Sequence, residues 1–332
     1  MIALNYNYVF RGVHELTGEE IRQYVALFNA TFPDPLTGEE FLEKFTRRLG
    51  PNAYFVLLVH ASEGIVGSVG AIEVPYTYEG REYKFALTVD GMIAPDHRVD
   101  WLALKRMHDI LVAELERRGF VYLFTKPNNN SYLYLKNLIG LSDIGELTAY
   151  AFPLRPFRLI GPFLSWLDRP WRLLVRGAAR LGSRGTIVRE VPAAEVARYA
   201  CSHNGSSIHR SRDAAFLTAR YENRRYRRVA CGRGFIIYTL RRYNGRMACF
   251  VLEVHQLGFR DRLTFLDYVS KNHPGAEIVF RVIGRTEHNF PLLRIPSFLL
   301  PNKFHVVGRS LGAGNFPSTA EFSPDLSDFE MV

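Results

Sequence analysis

APDHRVDWLA, residues 94–103, joins an apolar segment rich in β-forming residues, KFALTVDGMIA (84–94), to the segment DWLALKRMHDILVAELERRG (100–119). Apolar residues recur in 100–119 at helical spacing, with Asp100 as a candidate N-cap and Gly119 as a candidate C-cap. A strand that turns sharply into a helix is suited to bind a phosphate group, because free backbone N–H groups and the helix dipole point there. The stretch therefore predicts a strand-to-helix junction that is also a candidate anion site.

The chain on both sides of this junction predicts two α/β halves. Two segments that begin with Thr-Gly-Glu-Glu, 17–32 and 37–50, carry the capping-box pattern and predict helices. Strands of the first half are predicted at 53–60, 64–74, 84–94, 120–126 and 145–154, with a helix at 131–140. Glu-Gly turns between the first three strands favour an antiparallel meander. In the second half, strands are predicted at 185–191, within 227–254 and at 276–283, and helices at 214–226 and 260–275. The similar order of elements predicts a duplicated architecture.

The composition describes a folded protein without a secretory or membrane-spanning segment. The 332 residues are 47% apolar and 13% aromatic, which is enough for buried cores. No stretch approaches the roughly 18 consecutive apolar residues of a spanning helix, and the N-terminal residues lack the pattern of a signal peptide. Cys201, Cys231 and Cys249 have no metal-binding spacing and fit a reducing compartment. We expect a cytoplasmic protein, either free or peripheral to the inner face of the membrane, and no metal site.

The net charge of +9 is concentrated in two segments. Residues 154–184 hold seven arginines against Asp168, and residues 210–246 hold eleven arginines against two acidic residues. Such fields attract nucleic acid, anionic lipid or anionic cofactors, although arginines spread over solvated faces need no partner. Residues 153–184 also carry four prolines and several aromatic residues, which predicts a basic aromatic linker. This linker is either a surface that contacts an anionic membrane or a helix packed between the domains. Nucleic acid is the least expected partner.

The order of elements and the junction resemble the GCN5-related N-acetyltransferase (GNAT) superfamily in its tandem-domain form. In that superfamily a strand ending Val-x-Pro is followed by a six-residue loop, Arg/Gln-x-x-Gly-x-Gly/Ala, that opens a helix. Here IAP (93–95) ends the strand and RVDWLA (98–103) occupies the loop. The first and last loop residues match, but Trp101 stands where the central glycine belongs. The resemblance therefore implies a phosphate loop with weakened affinity.

Further segments resemble the same superfamily over nearly the whole chain. An Asn-rich turn precedes a helix ending in IGL (139–141), where the family has Leu-Gly-Phe. RDAAFLTARYENRRY (212–226) resembles the segment D-x-x-[FY]-L-x-x-R-Y-x-N-P-x-Y of tandem members. The terminal EFSPDLSDFEMV (321–332) resembles their closing strand. The resemblance implies an α/β (α+β) fold with two GNAT-like domains, each a mixed, mostly antiparallel twisted sheet flanked by helices. It places the catalytic domain at 1–152 and a degenerate, non-catalytic domain at 185–332, which would complete the acceptor pocket.

The resemblance also implies how an acyl-CoA donor, acetyl-CoA above all, is held. Backbone N–H groups of the strand end would bind the pantetheine arm and polarise the thioester carbonyl, and those of the loop would bind the pyrophosphate. The residues that it assigns to the donor are Met92, Ile93, Ala94, Arg98, Val99, Asp100, Trp101, Leu102, Ala103 and Asn130. His97, inside the turn, is expected to be solvated.

Transfer to an amine needs a group that accepts a proton from the attacking nitrogen. Asp90, in TVDGM, is the first candidate for this general base, and Glu73, in AIEVPY, is the second. The family's frequent general acid is a tyrosine four residues before the Leu-Gly-Phe glycine, where this chain has Lys136. Tyr134 is the candidate acid if the helix register differs. Each candidate also has a structural interpretation: Asp90 as a turn residue, Glu73 as a solvated strand residue and Tyr134 as a core tyrosine.

The resemblance leads to one main hypothesis, an acyl-CoA-dependent N-acyltransferase that acts on a primary amine of a small molecule, amino sugar or amino acid. Three alternatives remain open at this point. The donor is an acyl carrier protein, or the chain is an inactive tandem GNAT that serves as a binding or scaffold protein, or the arginines bind nucleic acid. The acceptor, the acyl chain length and the oligomeric state are left open.

Overall fold

The computed structural model describes the chain except for residues 1–5, 99, 101, 184–186, 197–207, 211, 224, 285–290, 297–303, 313–321, 323, 325–327 and 330–332, and the side chains of 160, 162, 182 and 183. Two predicted donor contacts, Val99 and Trp101, lie outside the described residues, as does Cys201.

The described residues form alternating strands and helices in both halves. The strands of the first half are β1 (Tyr6–Gly12), β2 (Ala53–His60), β3 (Gly64–Tyr78), β4 (Arg81–Ile93), β5 (Tyr122–Thr125), β6 (Ser142–Glu146) and β7 (Thr148–Pro153). Its helices are α1 (Gly18–Thr31), α2 (Gly38–Glu43), α3 (Ala103–Arg117) and α4 (Asn129–Asn137). The segment predicted as a linker contains α5 (Pro156–Ile160) and α6 (Asp168–Ser183). The second half contains β8 (Val188–Glu190), α7 (Ala193–Val196), β9 (His209–Arg210), α8 (Ala214–Tyr221), β10 (Tyr226–Cys231), β11 (Gly234–Tyr243), β12 (Arg246–His255), α9 (Phe259–Asn272), β13 (Ile278–Ile283), β14 (Leu293–Arg294) and β15 (His305–Ser310).

Both predicted capping boxes form. The Thr17 hydroxyl accepts a hydrogen bond from the backbone N–H of Glu20, and the Thr37 hydroxyl accepts one from Glu40, each at 3.2 Å. After α2 the chain continues in a π-helical turn, Lys44–Arg48. The N-termini of α1 and α2 are set by residues three positions apart, which is why the sequence predicts them well.

The described strands form two sheets. The first has the order β1-β2-β3-β4-β5-β15-β6, with β9 paired to β3. The second has the order β14-β7-β13-β12-β11-β10-β8. Each contains one parallel pair, β4 with β5 and β12 with β13, and the other pairs are antiparallel. The predicted fold class is confirmed, since two mixed, mostly antiparallel sheets are flanked by helices, and their orders repeat one another.

The two sheets exchange strands. The segment predicted as one closing strand, 145–154, is two strands, because the chain leaves the first sheet after β6 and pairs as β7 with β13 in the second sheet. The place beside β5 is filled by β15, which comes from the second half of the chain. Most of the segment 321–332, predicted to resemble a closing strand, lies outside the described residues. The predicted boundaries at residues 152 and 184 thus do not separate the sheets. Alternation in a sequence shows which face of a strand is buried, not which strand it pairs with.

The largest hydrophobic cluster, here called the shared core, contains residues of both sheets and of α1 and α2. Phe85 and Phe124 come from the first sheet, and Phe250 and Phe280 from the second. A second cluster lies on the opposite face of the first sheet, beneath α3 and α4. A third lies on the outer face of the second sheet, beneath α6 and α9. The first sheet is therefore buried on both faces.

The predicted linker is helical, and one side of its helix α6 packs against the rest of the protein. Val175 and Ala179 of α6 are buried, and the indole N–H of Trp171 donates to the carbonyl of Pro153 at 2.9 Å. The buried carboxylate of Asp168 accepts from the backbone N–H of Phe157 at 3.0 Å. In the described parts of the chain, no helix combines the length and the apolar character needed to cross a bilayer.

Most of the second basic segment is used inside the molecule. Arg210 and Arg220 are buried, and they donate to the carbonyls of Asp328 and Phe329 near the end of the chain. Further arginines of this segment form the ion pairs Arg212–Glu253, Arg225–Glu40, Arg227–Glu190 and Arg246–Glu277. These arginines hold the two halves and the chain end together, so they contribute little to an external basic field.

Candidate active site

The parallel strands β4 and β5 pair over a short distance and then separate. Phe85, Ala86 and Leu87 lie opposite Tyr122, Leu123 and Phe124. One residue further, the hydroxyl of Thr125 donates to the carbonyl of Thr88 at 2.9 Å, and β5 ends. β4 continues to Ile93 with no described strand paired on this side, so a cleft, here called the splay, opens between the two strands.

A β-bulge lies in β4 where the splay opens. The register between β3 and β4 shifts between Ser68 and Gly70, and Asp90 adopts a left-handed backbone with φ of 50°. A bulge bends the strand and re-aims side chains. Next to it, a Cβ on Gly91 would meet nothing closer than a Leu104 methyl at 4.0 Å, so there is room beside the backbone.

The bulge and the sheet decide which backbone amides face the splay. The N–H of Ala94 donates to the carbonyl of Val66 at 2.8 Å, so it points into the sheet. Met92, two residues earlier, has the same orientation because backbone directions alternate along a strand. Ile93 faces the other way, and its carbonyl accepts from the Arg98 guanidinium at 2.9 Å. Of the three predicted pantetheine contacts, Ile93 is the one directed to the splay.

The start of α3 is partly satisfied by its own residues. The carboxylate of Asp100 accepts from the backbone N–H of Leu102 at 3.0 Å and lies 3.1 Å from the Arg106 guanidinium. The N–H of Ala103 donates to the Asp100 carbonyl at 3.0 Å. Asp100 thus occupies N–H groups that a diphosphate would use, while Arg106 supplies a cation beside them. Asn130 is exposed in the first turn of α4, where Asn128 is the N-cap.

His97 is buried, contrary to the prediction that it is solvated. Its Nδ1 lies 2.8 Å from the Tyr6 hydroxyl, and its Nε2 lies 3.1 Å from a Glu63 carboxylate oxygen. The ring therefore ties the turn after β4 to β1 and to the β2–β3 connection. The sequence does not reveal this contact, because its partners lie 91 and 34 residues away.

Asp90 lies at the bulge and is held by two donors. Its Oδ2 accepts from the Lys44 ammonium at 2.7 Å and from the Tyr24 hydroxyl at 3.1 Å. Lys44 is buried and also lies 4.9 Å from the centre of the Phe45 ring. No described residue donates to the Asp90 Oδ1, so this oxygen can still accept a hydrogen bond from a ligand. Lys44 and Tyr24 carry no sequence signal that links them to Asp90.

Many solved structures share this architecture, and the following three are examples. A GCN5-related N-acetyltransferase from Kribbella flavida matches at a TM-score of 0.61 and 13% identity, over 94% of this chain and 73% of that chain. A conserved protein of unknown function from Enterococcus faecalis V583, described as a probable N-acyltransferase, matches at 0.58 and 12% identity, over 92% and 72%. A GCN5-related N-acetyltransferase from Anabaena variabilis matches at 0.57 and 13% identity, over 92% and 73%. No protein-family model and no curated protein matches the sequence.

This chain has the GNAT fold. The splay of its first sheet is formed by the strand that precedes the predicted phosphate loop and the strand that follows α3.

Glu73, the second candidate base in this GNAT fold, lies on the opposite face of the sheet from Asp90. It pairs with Ala86, which still lies opposite Leu123, so it sits before the splay opens. Its carboxylate accepts from the Asn52 side chain at 3.2 Å and lies 3.6 Å from the Lys84 ammonium. The structure therefore does not bring Glu73 together with Asp90, and Glu73 is largely buried, not a solvated strand residue.

Tyr134 is a residue of α4 and packs near α3, on the face of the first sheet opposite the shared core. Its hydroxyl is buried without a hydrogen-bond partner among the described residues, and its ring centre lies 6.4 Å from that of His108. Burial raises the pKa of Tyr134, and the nearby Asp109 carboxylate adds to this effect. The hydroxyl therefore stays protonated at neutral pH, as a proton donor must. Asp90 and Tyr134 lie on different faces of the first sheet.

His108 in α3 is a buried neutral imidazole. Burial lowers its pKa to about 4, with Arg309 acting in the same direction and Asp109 against it. In the unfolded chain the same group titrates near 6.5. Between these values the unfolded state binds a proton that the native state does not, so stability falls as the pH falls through this window.

We expect His108→Leu to remove part of the acid sensitivity of the fold. From about pH 7 to about pH 5 the native protein should lose about 2 kcal/mol of unfolding free energy through His108. Urea unfolding at both pH values, for the native protein and for the variant, measures this difference. An equal loss in both proteins would show that His108 is not the group that titrates.

Lys126 is a further charged group that the sequence does not single out. It directly follows β5, at the mouth of the splay, and burial lowers its pKa. Its ammonium lies 6.0 Å from the ring centre of Phe304, which packs against the shared core. It therefore lies on the same face as Asp90 and would suit an anionic group of a substrate.

The corresponding region of the second sheet is lined mostly by apolar side chains, with Arg262 and Arg281 among them. β12 and β13 pair from Ala248 to Val251 before they separate. Pro291 and Leu292 line the cavity beyond this point, together with Phe265. The region thus differs from the first splay, where a glycine borders open space. The prediction of a non-catalytic second domain stays a prediction.

Proposed function

We propose that the chain is an acyl-CoA-dependent N-acyltransferase that acylates a primary amine of a small molecule, an amino sugar or an amino acid. Acetyl-CoA is the donor to test first. The observation that supports this proposal most is the splay between β4 and β5, with a bulge at Asp90 and the Ile93 backbone directed into it. The three similar solved structures, two of them N-acetyltransferases and one a probable N-acyltransferase, support the same reaction class.

The residues around the splay fit the pantetheine part of a thioester donor. The open space at Gly91 allows close approach to the β4 backbone, and the Ile93 N–H is oriented to polarise a carbonyl oxygen. The diphosphate end fits less well, because Asp100 occupies N–H groups at the start of α3. Arg106 would offset part of that negative charge. We therefore expect weak binding of the donor.

In the proposed reaction the amine nitrogen attacks the carbonyl carbon of the thioester. The carbon–sulfur bond breaks, the amide bond forms, and the sulfur leaves as a thiolate. The nitrogen gives up a proton to Asp90 Oδ1, and the thiolate takes one from the Tyr134 hydroxyl. The placement of Asp90 and Tyr134 on different faces suits an acceptor that enters from one face and a donor that lies on the other.

The alternative of an inactive binding or scaffold protein also has support. Lys44 neutralises Asp90, which reduces the attraction of this carboxylate for an ammonium-bearing acceptor. Asp100 competes for the anion site at α3. A carrier-protein donor would require the same chemistry at the splay, with a protein in place of CoA.

Thiol release from acetyl-CoA with a panel of amines tests the proposed activity. The panel includes amino acids, because Lys126 would favour an acceptor with a carboxylate. We expect Asp90→Asn to lower turnover by about 100- to 10,000-fold, as loss of a proton acceptor does. Glu73→Gln, on the opposite face, is the matched control and should change turnover by less than about threefold.

Calorimetry with CoA separates the alternatives. Binding without turnover on any amine, with acetyl-CoA and with an acyl carrier protein as donors, would support the inactive binding protein. Turnover with the carrier protein alone would assign that donor. If Glu73→Gln abolishes turnover and Asp90→Asn does not, the proposed base is wrong.

A further inference from the structure

The segment from the turn before α6 to the end of that helix exposes large apolar side chains. Five of the ten large apolar residues that are exposed in the described parts of the chain lie between positions 163 and 181. They are Phe163 at 76% exposure, Trp166 at 69%, Leu173 at 61%, Leu174 at 69% and Leu181 at 88%. Single exposed apolar residues are ordinary on protein surfaces, but this concentration marks an interaction surface.

Arginines run beside these apolar residues on the exposed side of α6. Arg169, Arg176 and Arg180 are seven and four residues apart, a spacing that places them in one row on a helix. All three are exposed. Between residues 154 and 184 the one acidic residue is Asp168, which is buried and bonded to a backbone N–H. The segment itself therefore places no exposed acidic residue beside the row, whereas several arginines of 210–246 are in ion pairs.

We propose that this surface binds the face of an anionic lipid bilayer. It is called the linker face, and its residues are Phe163, Trp166, Arg169, Leu173, Leu174, Arg176, Arg180 and Leu181. Helices that lie in the membrane interface combine Leu, Phe and Trp with a row of basic residues. The apolar side chains enter the boundary between headgroups and acyl chains, and the arginines contact lipid phosphates. The charge selects anionic lipid over a second apolar protein surface.

The position of α6 makes this docking compatible with an open splay. α6 covers the outer face of the second sheet, and the shared core lies on the other face of that sheet. The splay belongs to the first sheet, so a membrane on the linker face would not cover it. The proposal does not depend on the proposed acyl transfer, and it is tested without any substrate.

Sedimentation with vesicles tests this proposal on the full chain. We expect the protein to sediment with vesicles of phosphatidylcholine mixed with phosphatidylglycerol, and to remain in solution with phosphatidylcholine alone. Added salt should weaken the binding, because the arginine contribution is electrostatic. The same assay is repeated with free inorganic phosphate as a competitor. Saturable competition by millimolar phosphate at constant ionic strength would assign a phosphate site and contradict a lipid surface.

Two variants of the linker face separate its charged and apolar parts. Replacing Arg169, Arg176 and Arg180 together by Gln should weaken partitioning to anionic vesicles by about 100-fold. Leu173→Ser with Leu174→Ser should weaken it by about tenfold or more. The charge-matched control replaces Arg22, Arg47 and Arg117, which are exposed on elements of the first half, by Gln. We expect the control to bind within about threefold of the native protein.

Three results would overturn the proposal. The first is equal binding to vesicles with and without phosphatidylglycerol, and the second is an equal loss in the control and in the linker-face arginine variant. The third is self-association in sedimentation velocity that Leu173→Ser with Leu174→Ser abolishes, without vesicle binding. That outcome would assign the linker face to a second copy of the chain.

Discussion

A fragment that ends at residue 152 should not fold on its own. It lacks β15, which lies between β5 and β6 in the first sheet, and it carries β7, whose partner β13 belongs to the second half. The open edges of β5 and β7 would then be unpaired, and the shared core would lose Phe250 and Phe280. Urea unfolding of the isolated fragment should show no cooperative transition, and co-expression with residues 153–332 should restore one.

A point substitution in β15 tests the same exchange in the full chain. Val307 is fully buried, so Val307→Asp should cost about 4 kcal/mol or more, because it buries an unpaired charge. Ser310→Asp, on the exposed end of the same strand, is the control and should cost less than about 0.5 kcal/mol. A cooperatively folded 1–152 fragment with native-like near-ultraviolet circular dichroism would contradict the strand exchange.

Lys44→Met should lower the free energy of unfolding by about 3–5 kcal/mol. The side chains of Lys44 and Asp90 are 2% and 10% exposed, and their ion pair joins the π-helical turn after α2 to the bulge in β4. Removal of the cation leaves the Asp90 carboxylate nearly buried without a counter-ion, which costs more than the pair itself contributes. Urea or guanidinium unfolding measures the difference.

The double variant Lys44→Met with Asp90→Asn should recover most of that loss, because no unpaired charge remains. Lys105→Met removes an exposed pair with Asp109 and is the control, with an expected cost below about 1 kcal/mol. If Lys44→Met costs no more than Lys105→Met, the buried pair is not a determinant of stability. The double variant also separates loss of turnover through Asp90 from loss of fold.

The candidate site is predictable from the sequence only where its parts are local. A strand, a turn and α3 form around residues 84–119 as predicted, except that the N-cap of α3 is Leu102 and not Asp100. Asp90 does lie where the cleft opens. The interaction of Asp90 with Lys44 and Tyr24 spans 46 and 66 residues, so no local pattern reveals it. The bulge, which re-aims Asp90, depends on the register with β3.

The orientation of the site residues is likewise set by the sheet. Asp90 and Glu73 look alike in the sequence, since each is an acidic residue in an apolar strand. Pairing with neighbouring strands places them on opposite faces. The Ile93 backbone points into the splay, whereas the Ala94 N–H donates to the carbonyl of Val66 within the sheet. Alternation predicts such a division only once the register is known.

By itself the sequence determined what depends on neighbours a few residues away. It determined the capping boxes at Thr17 and Thr37, the meander of β2 to β4, and the junction that leads into α3. The tertiary structure alone decided which sheet receives β7 and β15, because strand pairing depends on complementary surfaces that lie more than a hundred residues apart. It also decided that one side of α6 is buried while the other remains exposed, because that depends on α9 as a packing partner.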